Sequence, residues 1–144
     1  MRAYADTSFL FALILRDRNS AMAGAYLRTH RRALPFTSLQ SCELKNAVRL
    51  AVFRKQADSS TAKAALLQVD SDLAAGNLIQ TPLVWPDALD EAESISEKYT
   101  AVSDMRTLDL LHIGAAVSLG LKNFLTFDQR QHACAKAAGL LVGP

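Results

Sequence analysis

Short apolar runs alternate along the chain with longer stretches in which apolar residues recur at helical spacing. This alternation is typical of a parallel sheet that helices cover on both faces. The pattern predicts strands at about 2–5, 34–37, 78–81, 123–126 and 140–142. It predicts helices at about 7–15, 21–31, 39–55, 60–75, 86–99, 107–119 and 130–138. We therefore predict an α/β fold with a parallel sheet of about five strands.

Glycine marks the ends of two of these helices. Gly76 follows helix 60–75 and Gly120 follows helix 107–119. Glycine readily adopts the left-handed conformation that is needed just past a helix C-terminus. Two consecutive helices, 39–55 and 60–75, separate the second predicted strand from the third. We expect this pair of helices to form a small helical arm that projects from the sheet.

The composition indicates one domain that spans residues 1–144. Half of the residues are hydrophobic, so the chain is long enough for one buried core and too short for two comfortable domains. The two cysteines, Cys42 and Cys134, lie far apart and form no metal-ligand cluster. Their spacing argues against a zinc site and against a secreted disulfide scaffold. This cysteine usage fits a reduced cytoplasm.

An apolar run at 9–15 is the only segment that could imitate a signal peptide or a membrane span. Asp6 lies where a leader would carry positive charge, and Arg16, Asp17 and Arg18 interrupt the chain before the small residues at 21–23. The run is also far shorter than the ~20 residues that a helix needs to span a bilayer. We expect a buried helix and no membrane association.

Four acidic residues stand at the starts of helix-like stretches and directly beside apolar residues: Asp6, Glu43, Asp109 and Asp128. Asp6 and Asp128 follow the first and fourth predicted strands, and open parallel sheets bind ligands at the carboxyl ends of their strands. Each of these two residues also fits an ordinary N-cap, which accepts a backbone N–H at a helix start. Neither residue identifies a site by itself.

Glu43 and Asp109 lie on apolar stripes of their predicted helices. Asp109 shares its stripe with Ile113 and Ala116, and Glu43 lies one turn after Leu39. A first-turn acid gains from the helix dipole, so a structural role for Asp109 stays open. An acid on a core-facing stripe nevertheless needs a partner.

Together the four acids predict a pocket for a divalent cation. Carboxylates crowded within a few ångströms repel each other strongly unless cations bind them. Hard oxygen ligands favour Mg²⁺ or Mn²⁺ over zinc. Thr7, Ser8 and Thr126 could add hydroxyl groups to the pocket, although small polar residues at helix starts are usually only caps.

The charge balance favours a polyanionic substrate. The formal net charge is +2, with 16 Lys and Arg against 14 Asp and Glu. If metal neutralises four of these acids, the rest of the surface is distinctly basic, which suits a polyanion. The densest cluster includes Arg28, His30, Arg31 and Arg32. Cations are also favoured at the C-terminal end of a helix, so this cluster alone does not identify a binding surface.

Four segments carry a resemblance to a known family: Ala5-Asp6-Thr7-Ser8, the helical Glu43, 106–112 and 125–131. In order, spacing and total length they resemble the PIN-domain ribonucleases, and among them the VapC-like toxins of bacterial toxin–antitoxin pairs. The resemblance implies a PIN-like parallel-sheet fold, Mg²⁺ or Mn²⁺ at the acidic cluster, endonucleolytic cleavage of RNA, a homodimer and an inhibitory antitoxin. On this hypothesis Asp6 and Asp109 hold the principal cation, while Glu43 and Asp128 complete a second site or orient its waters.

Two alternatives use the same residues. A non-catalytic scaffold or RNA-binding module would keep the PIN fold and lose full metal occupancy, although four intact acids argue against it. A phosphotransferase would use Asp6 as its nucleophile, as in haloacid-dehalogenase-like enzymes. That chemistry expects a second aspartate two residues later, where this chain has Ser8.

Two further residues have a functional and a structural interpretation. His112 lies three positions after Asp109 and could act as a ligand or a base, yet without paired histidine spacing a core histidine is the commoner case. Trp85 beside Pro86 could stack on an RNA base, yet an aromatic residue here more often anchors the loop before a helix.

Overall fold

The computed structural model describes residues 2–144, so Met1, the first residue of the predicted domain, lies outside the described residues. Five strands and seven helices are formed within this range. In chain order they are β1 (Ala3–Ala5), α1 (Thr7–Ile14), α2 (Ser20–His30), β2 (Leu34–Phe36), α3 (Ser38–Phe53), α4 (Ser59–Ala74), β3 (Leu78–Gln80), α5 (Trp85–Ser103), α6 (Thr107–Ser118), β4 (Asn123–Leu125), α7 (Gln129–Ala137) and β5 (Leu141–Gly143).

The strands pair in parallel within two ladders. β4 lies between β1 and β5 in a three-stranded sheet, and β2 pairs with β3. The side chain of Gln40, at the start of α3, donates a 2.7 Å hydrogen bond to the carbonyl of Ala5 at the end of β1. This bond holds the carboxyl ends of β1 and β2 beside each other. The predicted five parallel strands are therefore confirmed, although their ladder hydrogen bonds divide them into three and two.

The predicted helices are all present, and their ends follow local backbone chemistry. Gly76 and Gly120 have φ values of 76° and 68°, which confirms the predicted stops after α4 and α6. The largest difference is α5, which continues to Ser103 although the predicted helix ends at 99. No glycine or proline lies between Tyr99 and Asp104, and the helix instead ends at Asp104, whose φ is 47°.

Apolar side chains cover both faces of the three-stranded sheet. Tyr4 packs with Phe124 in one buried cluster, whereas Ala5 and Leu125 belong to the cluster on the other face. This division follows the alternation of side chains along a strand. The two helices of the predicted arm, α3 and α4, pack on the end of α1 through a third apolar cluster that contains Leu15, Val48 and Ala62.

Helices α5 and α6 approach each other closely at Gly114. A Cβ atom added to Gly114 would lie 2.4 Å from the carbonyl oxygen of Ala88 and 2.9 Å from the backbone nitrogen of Ala92. Only a residue without a side chain fits this position. The contact fixes α6, the helix that carries Asp109 and His112, against α5.

Among residues 2–144, none of the helices combines the length and the apolar character that a membrane crossing requires.

Candidate active site

All four predicted acids line one cavity of about 340 Å³ at the carboxyl edge of the strands. Asp6 directly follows β1, and Asp128 lies three residues after the end of β4. Glu43 enters from α3 and Asp109 from the first turn of α6. The fold thus brings together side chains that are separated by up to 122 positions in sequence, as the sequence pattern predicts.

Asp6 is the most buried of the four acids, with 4% of its surface exposed. Its Oδ1 accepts hydrogen bonds from the Ser8 hydroxyl at 2.6 Å and from the Phe9 backbone N–H at 3.1 Å, and its Oδ2 accepts one from Thr126 at 2.5 Å. Burial raises the pKa of Asp6, and these hydrogen bonds together with the charge of His112 partly offset that rise. The N-cap interpretation is confirmed, and it coexists with a position on the cavity wall.

Asp128 is also a helix cap. Its Oδ1 accepts hydrogen bonds from the backbone N–H groups of Arg130 at 2.9 Å and Gln131 at 3.0 Å, which begin α7. Its own N–H donates to the Thr126 hydroxyl at 3.0 Å. Thr126 therefore joins the two strand-end acids, because the same hydroxyl also donates to Asp6.

Glu43 contacts His112, whose Nε2 lies 2.6 Å from Glu43 Oε2. Partial burial alone would raise the pKa of Glu43, but the hydrogen bond and charge of His112 outweigh it and hold that pKa below its usual range. The nearby Thr7 side chain lowers the pKa of Glu43 by a smaller amount, although the Thr7 hydroxyl forms no hydrogen bond. The Glu43 side chain keeps 29% of its surface exposed, so it remains accessible from the cavity.

Asp109 differs from the other three acids because it caps no helix and has no hydrogen-bonded side-chain partner within residues 2–144. Burial raises its pKa, and so do the negative charges of Asp128 and Glu43, while His112 and Arg106 act in the opposite direction. Its ionised form is thus held at an electrostatic cost in the folded chain.

The residues that line this cavity suit a hard divalent cation in their chemistry. Carboxylate oxygens are the ligands that Mg²⁺ and Mn²⁺ prefer. The buried hydroxyl of Thr7 has no hydrogen-bond partner, which leaves one more oxygen donor unused at the cavity wall. In the arrangement described for residues 2–144, no three His, Cys, Asp or Glu side chains already form a group that could hold a metal ion. Asp6 and Glu43 share their oxygens with protein donors instead.

The protein-family model of the PIN domain matches residues 3–137. The chain belongs to the PIN domain family. The resemblance that the four acidic segments carry is therefore confirmed at the level of the family and its α/β fold.

Solved structures share this PIN fold across nearly the whole chain. VapBC2 from Rickettsia felis, bound to a DNA fragment from their promoter, has 12% identity and a TM-score of 0.68, covering 99% of this chain and 98% of that chain. VapC20 from Mycobacterium tuberculosis, a sarcin-ricin loop cleaving toxin, has 16% identity and a TM-score of 0.63, with 98% and 97% covered. FitAcB from Neisseria gonorrhoeae has 16% identity and a TM-score of 0.68, with 100% and 97% covered. No curated protein sequence gives a significant match.

The cavity of this PIN domain also contains residues that sequence reasoning missed. Asp17 and Asn19 reach it from the loop between α1 and α2, and Gln131 reaches it from α7. Asp17 Oδ1 accepts a hydrogen bond from the Asn19 N–H at 2.7 Å, so this fifth carboxylate also shapes its own turn. An Asp-x-Asn turn between two helices is a common loop signal, and only the three-dimensional fold shows that it faces the cavity.

The basic cluster predicted to suit a polyanion lies at the other edge of the PIN sheet. Arg32 lines cavities with Ala3, Leu34 and Asn123, the first residues of β1, β2 and β4. The acids lie beyond the opposite ends of these strands, roughly 10 Å away for three residues at about 3.3 Å each. Arg106, at the start of α6, is an arginine whose charge does act on Asp109.

Trp85 is the first residue of α5 and is 40% exposed. It does not line the acidic cavity.

Asp109→Asn should leave the metal-free protein equally stable or more stable at pH 7. The raised pKa means that the folded chain holds the Asp109 proton to a higher pH than the unfolded chain does. Stability is therefore lost as pH rises from the ordinary value of 3.8 through the folded pKa, and asparagine removes that loss. Thermal unfolding of the wild type and the variant, with a metal chelator present, measures their difference in stability at pH 4 and pH 7. This difference should be smaller at pH 4. Strong destabilisation at pH 7 would instead make Asp109 a structural residue.

Proposed function

We propose that this PIN domain is a Mg²⁺- or Mn²⁺-dependent endoribonuclease that hydrolyses RNA phosphodiester bonds, and that it acts as the toxin of a toxin–antitoxin pair. The observation that carries the proposal is the meeting of Asp6, Glu43, Asp109 and Asp128 in one cavity. Membership of the PIN family supports it. So does the fold shared with VapC20, a sarcin-ricin loop cleaving toxin.

Asp6 and Asp109 are the proposed principal ligands, with Glu43 and Asp128 completing the set. Asp6 offers a fixed oxygen, because three donors hold its carboxylate and an ionised carboxylate has about four acceptor positions. Asp109 offers an oxygen that no cap or side-chain hydrogen bond occupies within the described range. When bound, the cation would supply Lewis-acid activation of water and neutralise charge at the scissile phosphate.

The protein's own groups would then bind and orient the RNA strand. Arg106 stands at the start of α6 beside Asp109, where its guanidinium can attract a backbone phosphate toward the cavity. The negative charges of the cavity repel a polyanion, although the neighbouring cation attracts it. The site therefore suits a polyanion only after the carboxylates are neutralised. This requirement links substrate binding to cation binding.

The direct test is cleavage of a structured RNA by the purified chain with Mg²⁺, with Mn²⁺ and with a chelator. We expect endonucleolytic fragments with either cation and none with the chelator. RNA binding without cleavage under all three conditions would favour the alternative, a non-catalytic PIN scaffold or RNA-binding module. Phosphate trapped covalently on Asp6 would instead favour the phosphotransferase.

The remaining proposals concern the setting of the enzyme. We infer that residues 1–144 act as one PIN domain, since the solved structures of the same fold cover 98–100% of the chain. We infer a cytoplasmic location, which suits two cysteines that are both free.

An inhibitory antitoxin is the proposed protein partner, supported by the fold shared with VapBC2. Co-purification with the product of a neighbouring short reading frame tests that partner.

We expect the protein to be a homodimer in solution. Its helices expose large apolar side chains, among them Phe53 at 84% and Val102 at 81% exposed. A second copy that covers such side chains removes apolar surface from water. Light scattering over a range of concentrations should give the dimer mass, and a monomer at high micromolar concentration would contradict the inference. Phe53→Ser and Val102→Ser, measured separately, would show which exposed side chain lies in the interface.

A further inference from the structure

A chain of three side chains connects the core to the acidic cavity. Tyr4 lies on β1 and is fully buried, and its hydroxyl is 2.8 Å from His112 Nδ1. His112 lies on α6 with 1% of its surface exposed. Its other ring nitrogen, Nε2, is 2.6 Å from Glu43 Oε2 on α3. Three elements that carry or precede cavity acids are thus joined by two hydrogen bonds.

The proton positions in this chain follow from the chemistry of its two ends. At one end the Glu43 carboxylate lies 2.6 Å from His112 Nε2. An ionised carboxylate can only accept, so His112 Nε2 carries a hydrogen and donates it to Glu43. The other ring nitrogen, Nδ1, pairs with the Tyr4 hydroxyl, which can donate or accept.

The imidazole ring has little freedom to move. Tyr4 and Phe124 stack with their ring centroids 5.5 Å apart, and the Tyr4 ring meets the His112 ring edge to face at 5.8 Å. A buried ring held at both nitrogens fixes the direction of its N–H bond. That direction determines where the carboxylate of Glu43 can stand.

We propose that His112 is a positioning residue that holds the Glu43 carboxylate toward the cation site, with Tyr4 fixing the orientation of the His112 ring. The proposal rests on the proposed function, because it assigns Glu43 to the cation site. One Glu43 oxygen is engaged by His112 and the carboxylate stays partly exposed at the cavity. Residues that orient metal-binding side chains through hydrogen bonds commonly contribute about tenfold or more to metal affinity.

Two amide variants separate the two hydrogen bonds of His112. His112→Gln places an amide nitrogen near the position of Nε2 and can still donate to Glu43. His112→Asn places an amide near the position of Nδ1, so it keeps the Tyr4 contact and falls short of Glu43. Tyr4→Phe removes only the hydroxyl that orients the ring. Ile113→Val is the matched control, because it trims a buried side chain of the same helix outside the chain of hydrogen bonds.

The experiment is a titration of each metal-free protein with Mn²⁺, followed by the electron paramagnetic resonance signal of the free ion. We expect His112→Asn to raise the Mn²⁺ dissociation constant about tenfold. His112→Gln should recover most of that loss, Tyr4→Phe should weaken binding less than His112→Asn, and Ile113→Val should bind as the wild type does. Rescue by glutamine and not by asparagine would distinguish orientation of Glu43 from simple core packing.

The outcomes distinguish this inference from the proposed function. Mn²⁺ binding by the wild type and its loss in Asp6→Asn would establish the cation site. If His112→Asn then binds Mn²⁺ within twofold of the wild type, the positioning role is refuted while the cation site stands. Equal losses in His112→Gln and His112→Asn would also refute it, since packing alone explains that result. A wild type without saturable Mn²⁺ binding would overturn both proposals together.

Discussion

Asp6→Asn and Asp109→Asn should each lower the rate of RNA cleavage about 10³-fold, which corresponds to ~4 kcal/mol of lost transition-state stabilisation. Each substitution removes a proposed ligand charge while keeping nearly the same side-chain volume. In Asp6→Asn the amide oxygen can still cap α1, where Asp6 accepts the Phe9 N–H. Asp109→Asn disturbs no cap and no side-chain hydrogen bond in the described part of the chain. Lost activity in a folded variant would therefore report on the site itself.

Asp70→Asn is the matched control for charge. It removes the same negative charge from the exposed surface of α4, away from the acidic cavity, and should cleave at the wild-type rate. All variants need identical purification, because a trace of contaminating nuclease would mask the loss. If both Asp6→Asn and Asp109→Asn cleave RNA at wild-type rates with Mg²⁺ or Mn²⁺, the acidic cavity is not the catalytic site.

Gly114→Ala should destabilise the fold by about 2 kcal/mol, a net of two opposing effects. Alanine is better than glycine within a helix by about 1 kcal/mol. The new Cβ, however, would lie 2.4 Å from the Ala88 carbonyl oxygen, a clash severe enough to cost about 3 kcal/mol, the upper end of the usual range for overpacking. The opposing atoms are backbone atoms that cannot rotate away, so α5 and α6 must separate. Thermal unfolding should show a midpoint lower by roughly 6 °C.

Gly24→Ala is the control that isolates the contact. Gly24 also lies within a helix, α2, but a Cβ there meets only the flexible Arg28 side chain at 3.2 Å. Helix propensity should dominate at this position, so Gly24→Ala should be neutral or stabilising. A Gly114→Ala protein as stable as the Gly24→Ala protein would show that the two helices adapt without cost.

Local chemistry is the reason that most elements of the fold could be predicted. Asp6, Asp58 and Asp128 each accept a backbone N–H at a helix start, and glycines with positive φ follow α4 and α6. These signals involve neighbours within four residues. The end of α5 was misplaced because its last residues are compatible with both helix and loop. Asp104 stops the helix in a left-handed conformation that residues other than glycine seldom adopt.

Interactions between distant residues limited what could be predicted of the site. The four acids were identified from their positions at strand ends and helix starts, and their common cavity follows from parallel strands. The interpretation of His112 as a buried, hydrogen-bonded histidine is confirmed, yet its contact with Glu43 spans 69 positions and has no local signal. In the sequence Asp17 likewise has the pattern of an ordinary turn residue. Only the packing of α1 and α2 places it at the cavity.

Two of the acids are both helix caps and proposed cation ligands, and this affects how other PIN sequences are interpreted. Asp6 and Asp128 cap α1 and α7, so a protein that no longer cleaves RNA still gains stability from keeping them. Asp109 caps nothing, and its ionised form is opposed by burial and by two neighbouring carboxylates. Without a cation to bind, burial and these carboxylates outweigh the attraction of His112 and Arg106, so the fold disfavours its charge. If the proposed function holds, an aspartate at this position is therefore the most informative single residue for sorting active members of the family from inactive ones.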